Sequence, residues 1–326
     1  MQKVKIGIIG GAGYTGGELL RVLLRHPNAA ITFVHSTSNA GELVSKVHTD
    51  LVGDTDMKFA SELDQNIDVL FLCVGHGDAK KFLAAHTLQA NIKIIDLSQD
   101  FRLINNATIG DRTFVYGLPE LQRGAIQKAH NIANPGCFAT AIQLGLLPLA
   151  ANSRLTDVYT TGITGSTGAG QNLSATSQFS WRANNIQAYK TLQHQHIQEI
   201  SQSLVQLQGN QNADVHFVPW RGDFTRGIFI TSVISSDLTI DALYDLYETY
   251  YAGHAFTHVS KNNIDLKQVV NTNKCLIHIE KQGNKIAIHT VIDNLLKGAV
   301  GQAVQNMNLL FGLEESTGLM LKANYF

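Results

Sequence analysis

The chain has 326 residues, of which 44% are hydrophobic and 16% charged, so it is long enough for two domains and too apolar for a disordered chain. Its net charge of -1 gives no basic surface for nucleic acid or an anionic membrane, and no apolar run reaches the ~18 residues of a membrane span. The three cysteines form no CxxC pair, which disfavours a disulfide framework or a zinc site, and with no signal-peptide pattern we expect a cytoplasmic protein without a bound metal.

In the first half of the chain, short apolar segments alternate with helical patterns. Buried strands are predicted at 4–9, 30–35, 69–74 and 92–97, and helices at 18–25 and 79–88. Buried strands joined by helices are typical of a parallel sheet covered on both faces. The first half therefore predicts an α/β domain with a doubly wound, Rossmann-type parallel sheet.

The pattern changes after Cys137. Helices are predicted at 140–151 and 189–208, a Gly/Ser/Thr-rich loop at 162–170, antiparallel strands at 226–235, 274–281 and 285–292, and a final helix at 297–311. Gln282-Gly283-Asn284 is a hairpin signal between the last two strands. We therefore expect an α+β domain over 137–297 and a Rossmann domain formed by 1–136 and 298–326, to which the C-terminal helix returns.

A glycine-rich turn follows the first strand. The sequence GAGYTG at 11–16 fits GxGxxG, which permits a tight turn, close approach of a pyrophosphate and packing of helix on strand. This pattern favours dinucleotide binding over a glycine-rich packing turn. The second strand ends in Ser36, Thr37 and Ser38, with no carboxylate to bind the ribose 2′-hydroxyl of NAD, which favours NADP.

Cys137 follows an Asn-Pro-Gly turn and precedes the helix predicted at 140–151. A cysteine at a helix N-terminus is held in a positive dipole field that favours the thiolate, although a free cysteine can also be a packing residue. His194 and His196 lie in the next predicted helix and could move the proton, and we prefer His194 because Glu199 follows about a turn and a half later. Both Cys73 and Cys275 are interpreted as core residues.

Anionic ligands need cations or free N–H groups. Arg102 follows the strand at 92–97, and Arg226 lies near the start of the strand at 226–235. Either arginine could hold phosphate or carboxylate, or could form a structural salt bridge. The loop with Ser166 and Gly168 could surround a phosphate with backbone N–H groups, or could be an ordinary loop.

Taken together, these segments resemble the N-acetyl-gamma-glutamyl-phosphate reductase family, relatives of aspartate-semialdehyde dehydrogenase. The likeness spans essentially the whole chain and rests on the segments 10–20, 96–102 (DLSQDFR), 116–120 (YGLPE), 134–137 (NPGC), 194–199 and 293–308. It implies a Rossmann domain plus an α+β domain that carries most subunit contacts, in a homodimer or homotetramer.

The resemblance also implies roles for individual residues. Catalysis is expected from Cys137, His194, His196 and Glu199. The expected cofactor contacts are Gly10, Gly13, Tyr14, Thr15, Gly16, Ser36, Thr37, Ser38, Gly75 and Asn294. The expected substrate contacts are Arg102, Ser166, Gly168 and Arg226.

The implied reaction belongs to arginine biosynthesis and is the NADPH-dependent reduction of N-acetyl-gamma-glutamyl phosphate to the 5-semialdehyde through a Cys137 thioester. Glu42, Gln171 and Gln195 stand where the family often has a basic residue, which leaves the acyl group open between acetyl, succinyl and a carrier-linked form. Another semialdehyde dehydrogenase and a non-catalytic NADP-binding sensor remain alternatives. A sensor would need neither the cysteine nor the histidines.

Overall fold

The computed structural model describes residues 3–209 and 213–326. Its contacts divide the chain into two compact units. Unit 1 comprises the chain up to Pro135 together with Ala299–Met320, and unit 2 comprises Gly136–Gly298 together with Leu321–Phe326. Among the described residues, no helix combines the length and the apolar character needed to cross a membrane.

The regular elements are numbered in chain order. The strands are β1 (Val4–Ile9), β2 (Ala29–His35), β3 (Val69–Leu72), β4 (Lys93–Asp96), β5 (Thr108–Ile109), β6 (Arg112–Tyr116), β7 (Asn131–Ala133), β8 (Val158–Thr164), β9 (Gln187–Ala188), β10 (Val215–Arg221), β11 (Ile228–Ser235), β12 (Thr257–Val259), β13 (Cys275–Gln282) and β14 (Lys285–Ile292). The helices are α1 (Tyr14–Leu23), α2 (Val44–Val47), α3 (Asp78–Ala85), α4 (Pro119–Lys128), α5 (Cys137–Ala151), α6 (Phe179–Arg182), α7 (His196–Leu207), α8 (Ile240–Tyr251) and α9 (Val300–Leu310).

Unit 1 is built on a seven-stranded sheet with the order β2-β1-β3-β4-β7-β6-β5. All of its strand pairs are parallel except β5 with β6. The central strands β3 and β4 are apolar and buried, as expected for strands covered on both faces. Helix α9 packs against α1 and α4, so the chain returns to this unit after unit 2. The doubly wound fold and the returning helix are confirmed.

Unit 2 contains a seven-stranded mixed sheet with the order β12-β13-β14-β11-β8-β10-β9. Side chains alternate between buried and exposed along β8 and β11, because one face of the sheet is packed against α5. Helix α5 is apolar around its whole circumference and is buried by α7, α8 and the sheet. The hairpin of β13 and β14 turns at Gly283 with φ +58°, as its sequence predicts.

The bounds of several predicted elements differ from the structure, and three of these differences concern unit 2 near the candidate site. The helix expected at 189–208 begins only at His196 and ends at Leu207. The helix expected from Thr140 begins at Cys137. The loop expected at 162–170 starts as the end of β8, and Ser166–Ala169 forms a 3-10 turn.

Candidate active site

Cys137 is the first residue of α5, and Gly136 is the N-cap of that helix. The first turn of a helix presents N–H groups without intrahelical acceptors at the positive end of its dipole, a position that favours a thiolate. Cys137 is partly accessible, whereas Cys73 and Cys275 are buried. Burial raises the pKa of the Cys73 thiol to about 12, so Cys137 is the thiol best placed to act as a nucleophile.

Glu199 links the cysteine turn to one of the two histidines. Its Oε2 accepts a hydrogen bond of 3.1 Å from the backbone N–H of Gly136, and its Oε1 lies 3.7 Å from Nε2 of His196. The carboxylate is buried, so both interactions take place away from bulk water. The expectation that Glu199 serves His194 is wrong, because His194 precedes α7 and His196 occupies the position three residues before Glu199.

His194 lies beside His196, with ring centroids 4.6 Å apart, and both rings contact Phe138. The backbone N–H of His196 donates to Nδ1 of His194 at 3.3 Å, which assigns the ring proton of neutral His194 to Nε2. Burial, with a smaller contribution from Lys190, lowers the pKa of His194 to about 4. His194 is therefore a neutral imidazole near pH 7.

The glycine turn of unit 1 has the geometry of a phosphate-binding loop. Gly10 has φ +77°, and a Cβ there would lie 2.3 Å from the carbonyl oxygen of Cys73, so the positive φ falls one residue before the GxGxxG motif. A Cβ at Gly16 would lie 2.5 Å from the carbonyl oxygen of Gly11, which explains that glycine by packing. At Gly13 the nearest protein atom would be 3.7 Å away, so packing does not require glycine there. The open space at Gly13 is consistent with the expected approach of a cofactor phosphate to the backbone, which stays a prediction.

Other expected cofactor residues lie at the carboxyl ends of β1, β2 and β3. Tyr14 and Thr15 open α1, and Gly75 follows β3, the neighbour of β1 in the sheet. Ser36 is buried after β2, whereas Thr37 and Ser38 are exposed there.

Asn39 donates to the hydroxyls of both Ser36 and Ser38, at 3.1 and 3.0 Å. Glu42 is engaged in an ion pair with Lys46. The end of β2 thus presents hydroxyl and amide groups, which suit a 2′-phosphate better than a carboxylate would.

Arg102 is buried, and its guanidinium binds backbone carbonyls of its own unit. Its Nε donates to the carbonyl of Asn134 and its Nη2 to that of Leu97, both at 2.9 Å. Asp100 in turn accepts from the backbone N–H groups of Gly77 and Lys80. Arg102 therefore has a structural role in holding the Asn134 carbonyl, and the expected substrate contact stays a prediction.

Arg226 forms a two-pronged ion pair with the fully buried Asp293, with Nε–Oδ2 and Nη2–Oδ1 distances of 3.0 and 3.1 Å. The same carboxylate accepts from the backbone N–H groups of Asn271, Leu295 and Leu296. Arg226 was expected to be available to an anionic substrate. Its bidentate edge is instead occupied by Asp293.

The glycine-rich loop was expected to offer free N–H groups, and most of them are bonded within the protein. The N–H groups of Gly165, Ser166 and Thr167 donate to carbonyls of the segment 224–227, and that of Gly168 donates to Gly165. The loop is thus fastened to a neighbouring segment and cannot surround a phosphate with these groups.

Asn294, expected to contact the cofactor, uses both ends of its amide within unit 2. Its Oδ1 accepts from the backbone N–H of Gly227 at 2.7 Å, and its Nδ2 donates to Thr167 at 3.0 Å. These bonds join the glycine-rich loop to the loop that follows β14. Any contact with the cofactor remains a prediction.

Both units match semialdehyde dehydrogenase families. Residues 5–129 match "Semialdehyde dehydrogenase, NAD binding domain", and residues 137–294 match "Semialdehyde dehydrogenase, dimerisation domain". Full-length relatives named N-acetyl-gamma-glutamyl-phosphate reductase are 56% identical over 325 residues in Bacteroides thetaiotaomicron and 52% identical over 324 residues in Christiangramia forsetii. Each alignment covers 99% of this chain and 100% of the relative. The chain belongs to the N-acetyl-gamma-glutamyl-phosphate reductase family.

The fold of this reductase family member is also similar to that of solved structures. Aspartate semialdehyde dehydrogenase II from Vibrio cholerae aligns with a TM-score of 0.74 at 18% identity, covering 96% of this chain and 99% of that one. The enzyme from Francisella tularensis aligns with a TM-score of 0.71 at 17% identity, covering 94% and 100%. The arrangement of elements is thus that of the semialdehyde dehydrogenases.

One residue beside the nucleophile of this reductase family member was not recognised from the sequence. A Cβ at Gly298 would lie 2.8 Å from Cβ of Cys137 and 2.6 Å from the carbonyl oxygen of Asn294. Glycine is required there because any side chain would displace the cysteine. Gly298 lies within the segment 293–308, one of the segments that carry the family resemblance, and that is the sequence feature that points to it.

We expect Arg226→Leu to destabilise the enzyme by about 3–5 kcal/mol, because it leaves the buried Asp293 carboxylate without its cation. Arg154→Leu is the matched control. Its ion pair with Asp237 is exposed, so removing it should cost less than about 1 kcal/mol. Urea unfolding followed by circular dichroism measures both. Equal small losses would show that Arg226 has no structural role and is free for a ligand.

Proposed function

We propose that the protein catalyses the NADPH-dependent reduction of N-acetyl-gamma-glutamyl phosphate to N-acetyl-glutamate 5-semialdehyde, with release of phosphate, in arginine biosynthesis. The observation that carries the proposal is the position of Cys137 at the start of α5 with Glu199 bound to the preceding N–H group. The full-length identity of 56% to a relative of that name supports the choice of reaction.

The first step is attack of the Cys137 thiolate on the acyl-phosphate carbonyl. A carbon–sulfur bond forms, the carbon–oxygen bond to phosphate breaks, and phosphate leaves with the electron pair, which gives a thioester. A helix N-terminus stabilises both the attacking thiolate and the negative charge that develops on the carbonyl oxygen. The covalent intermediate divides one difficult reaction into two easier ones.

Bound NADPH supplies the hydride that reduces the thioester. The resulting oxyanion is stabilised by a hydrogen-bond donor and collapses, which expels the Cys137 thiolate and releases the semialdehyde. The proton that the reaction consumes goes to the departing phosphate, and His196, whose Nε2 lies 3.7 Å from Oε1 of Glu199, is the residue best suited to donate it. His194, neutral and bonded to the His196 N–H, holds the start of α7 in place.

The two units divide these tasks. Unit 1 binds NADP through the backbone around Gly13 and the hydroxyl groups of Ser36 and Ser38, and unit 2 carries Cys137 and the histidines. We also propose that unit 2 joins subunits into a homodimer or homotetramer. Its sheet has one face away from α5, where Tyr159 and Val233 are exposed. The reaction draws on cellular NADPH, and a cytoplasmic location follows from the same proposal.

The proposed function is tested with the reverse reaction, in which an aldehyde, phosphate and NADP give an acyl phosphate and NADPH. We expect sustained turnover to NADPH from N-acetyl- or N-succinyl-glutamate 5-semialdehyde only when phosphate is present, because phosphate releases the acyl group from the cysteine. Activity with aspartate semialdehyde alone would assign the protein to a different semialdehyde dehydrogenase. Binding of NADP without turnover of any aldehyde would favour a sensor.

Ser38→Asp should shift cofactor preference from NADPH towards NADH. The new carboxylate would repel the 2′-phosphate and could accept from a free ribose 2′-hydroxyl. The measurement is the ratio of kcat/KM for the two cofactors, with the uncharged Ser38→Asn as the control for size. A wild-type enzyme that uses both cofactors equally would contradict the assignment of the end of β2 as a 2′-phosphate site.

A further inference from the structure

Two arginines of unit 2, Arg182 and Arg221, are distant in sequence but close in space. Arg182 ends α6, and Arg221 ends β10. The segment between α6 and α7 runs along β10, with Arg221 opposite Gln187 and the N–H of Tyr189 donating to the carbonyl of Pro219. This pairing keeps both guanidinium groups at one end of β10.

Arg182 carries a bidentate edge without a partner. Its Nε and Nη2 atoms are shielded from solvent and make no hydrogen bond to any residue that the structure describes. In Arg226 the same two nitrogens bind both oxygens of Asp293. A planar guanidinium edge of this kind matches a carboxylate or a phosphoryl group. Burying it unpaired is costly, so its natural partner is an oxyanion.

Arg221 adds a second positive charge beside this edge. Its guanidinium stacks on the ring of Tyr189 at 4.6 Å, and its Nη1 donates to the Thr176 hydroxyl at 2.7 Å. The nearby Asp223 accepts from the N–H of Asn184 at 2.6 Å and attracts Arg182 electrostatically, but among the described residues it makes no hydrogen bond to the Nε or Nη2 atom of Arg182. Two cations close together with a single acid nearby leave a net positive charge, which favours an oxyanion.

The location of this pair relates it to the nucleophile. The Tyr189 ring packs edge-on against His194 at 5.7 Å, and His194 packs in the same way against Phe138, the residue after Cys137. The pKa of Tyr189 is raised, mainly by burial and next by the Cys137 thiolate, which places the tyrosine within electrostatic reach of the sulfur. Successive side-chain contacts therefore lead from Arg221 through Tyr189 and His194 towards Cys137.

We propose that Arg182 and Arg221 form an oxyanion-binding subsite for the substrate, with the Nε/Nη2 edge of Arg182 as its bidentate contact. The inference rests on the proposed function and adds two cations to the candidate substrate contacts, since the Nε and Nη2 atoms of Arg102 and Arg226 are engaged within the protein. The substrate offers three oxyanions of this chemistry. These are its phosphoryl group, the carboxylate of its glutamyl part and, when the acyl group is succinyl, the terminal carboxylate of that group.

The test measures steady-state kinetics in the reverse direction, with phosphate and the semialdehyde varied separately. Arg182→Leu and Arg221→Leu are compared with wild type and with Arg154→Leu, a control on an exposed arginine of the same unit. In each subsite variant we expect KM to rise roughly 10- to 100-fold for whichever reactant, phosphate or semialdehyde, binds at the subsite, with kcat little changed. This is the usual effect of losing a charge-assisted contact. Thermal unfolding verifies that each variant is folded.

The pattern of KM values distinguishes the three sources. A rise for phosphate alone assigns the subsite to the phosphoryl group. A rise for both N-acetyl- and N-succinyl-glutamate semialdehyde assigns it to the shared carboxylate, and a rise for the succinyl compound alone assigns it to the acyl group. Unchanged KM values in folded Arg182→Leu and Arg221→Leu overturn the subsite while leaving the proposed function intact.

Arg182→Gln keeps a polar side chain that can donate hydrogen bonds, without the charge or the bidentate edge, and serves in place of Arg182→Leu if that variant fails to fold. An unchanged KM in folded Arg182→Gln overturns the bidentate contact. A wild-type enzyme inactive with every semialdehyde defeats the proposed function itself, so the two failures remain distinct.

Discussion

Replacing Cys137 with serine should abolish turnover and leave NADPH binding unchanged. The serine hydroxyl is much less acidic than a thiol, and the helix dipole of α5 cannot make it an effective nucleophile without a paired base. The expected fall in kcat/KM is roughly three orders of magnitude or more, the scale seen when a covalent nucleophile is removed. NADPH affinity, followed by fluorescence, should hold because the cofactor binds chiefly through unit 1.

A labelling experiment provides the control for Cys137→Ser. An alkylating reagent should label wild-type protein at Cys137 and leave the buried Cys73 and Cys275 unmodified. Labelling should disappear in Cys137→Ser. If the serine variant kept more than a small fraction of the activity, the covalent mechanism would be wrong.

The second large effect is expected for His196→Asn, which should lower kcat by roughly 10²–10⁴-fold, the usual contribution of a positioned general acid or base. His196 is the histidine beside Glu199, with 3.7 Å between its Nε2 and Oε1 of the carboxylate. His194→Asn should lower kcat less, because His194 is neutral above about pH 4 and is not paired with the carboxylate.

Two measurements check this assignment of the histidines. The first is the pH dependence of kcat in both variants, and the second is an NMR titration in which the His194 ring should remain neutral until about pH 4. A greater loss in His194→Asn than in His196→Asn would reverse the roles and restore the preference that spacing alone suggests.

The sequence predicted the fold well where local patterns decide it. The strands β1 to β4 are short, mainly apolar runs and were predicted, whereas the shorter or more polar strands β5, β6 and β7 were not. Gly283 with φ +58° marks the hairpin between β13 and β14. The composition of the polar segment 189–208 predicts one helix, yet Lys190 and Leu192 adopt positive φ values and the backbone before α7 hydrogen-bonds along β10. Hydrogen bonding to a strand distant in sequence therefore prevents the first part of the segment from forming a helix.

β10 itself was not predicted, in part because Pro219 interrupts its pattern and proline is rare inside sheets. The proline is tolerated where the strand pairs with only two residues of the short strand β9. Missing β10 also concealed the subsite proposed above, because Arg221 could not be placed beside Arg182 without it.

The position of Cys137 at the start of a helix could be predicted from the sequence, and the ion-pair partner of Arg226 could not. A helix N-terminus is a local feature, so the turn before Cys137 is visible in four consecutive residues. Arg226 is separated in sequence by 67 residues from Asp293, which neutralises it, and no local pattern reveals that pair. An arginine read from sequence alone cannot be assigned to a ligand or to a structural ion pair.

The central claim is that the acyl group passes through a thioester on Cys137, and trapping that species tests it most directly. Wild-type protein is mixed with N-acetyl-glutamate 5-semialdehyde and NADP in the absence of phosphate. The thiol adds to the aldehyde, hydride passes to NADP, and the thioester remains because its acceptor is missing. We predict a burst of about one NADPH per active site, an acyl mass increase on the peptide containing Cys137, and its loss when phosphate is added. No burst, or acylation of a different residue, would contradict the mechanism.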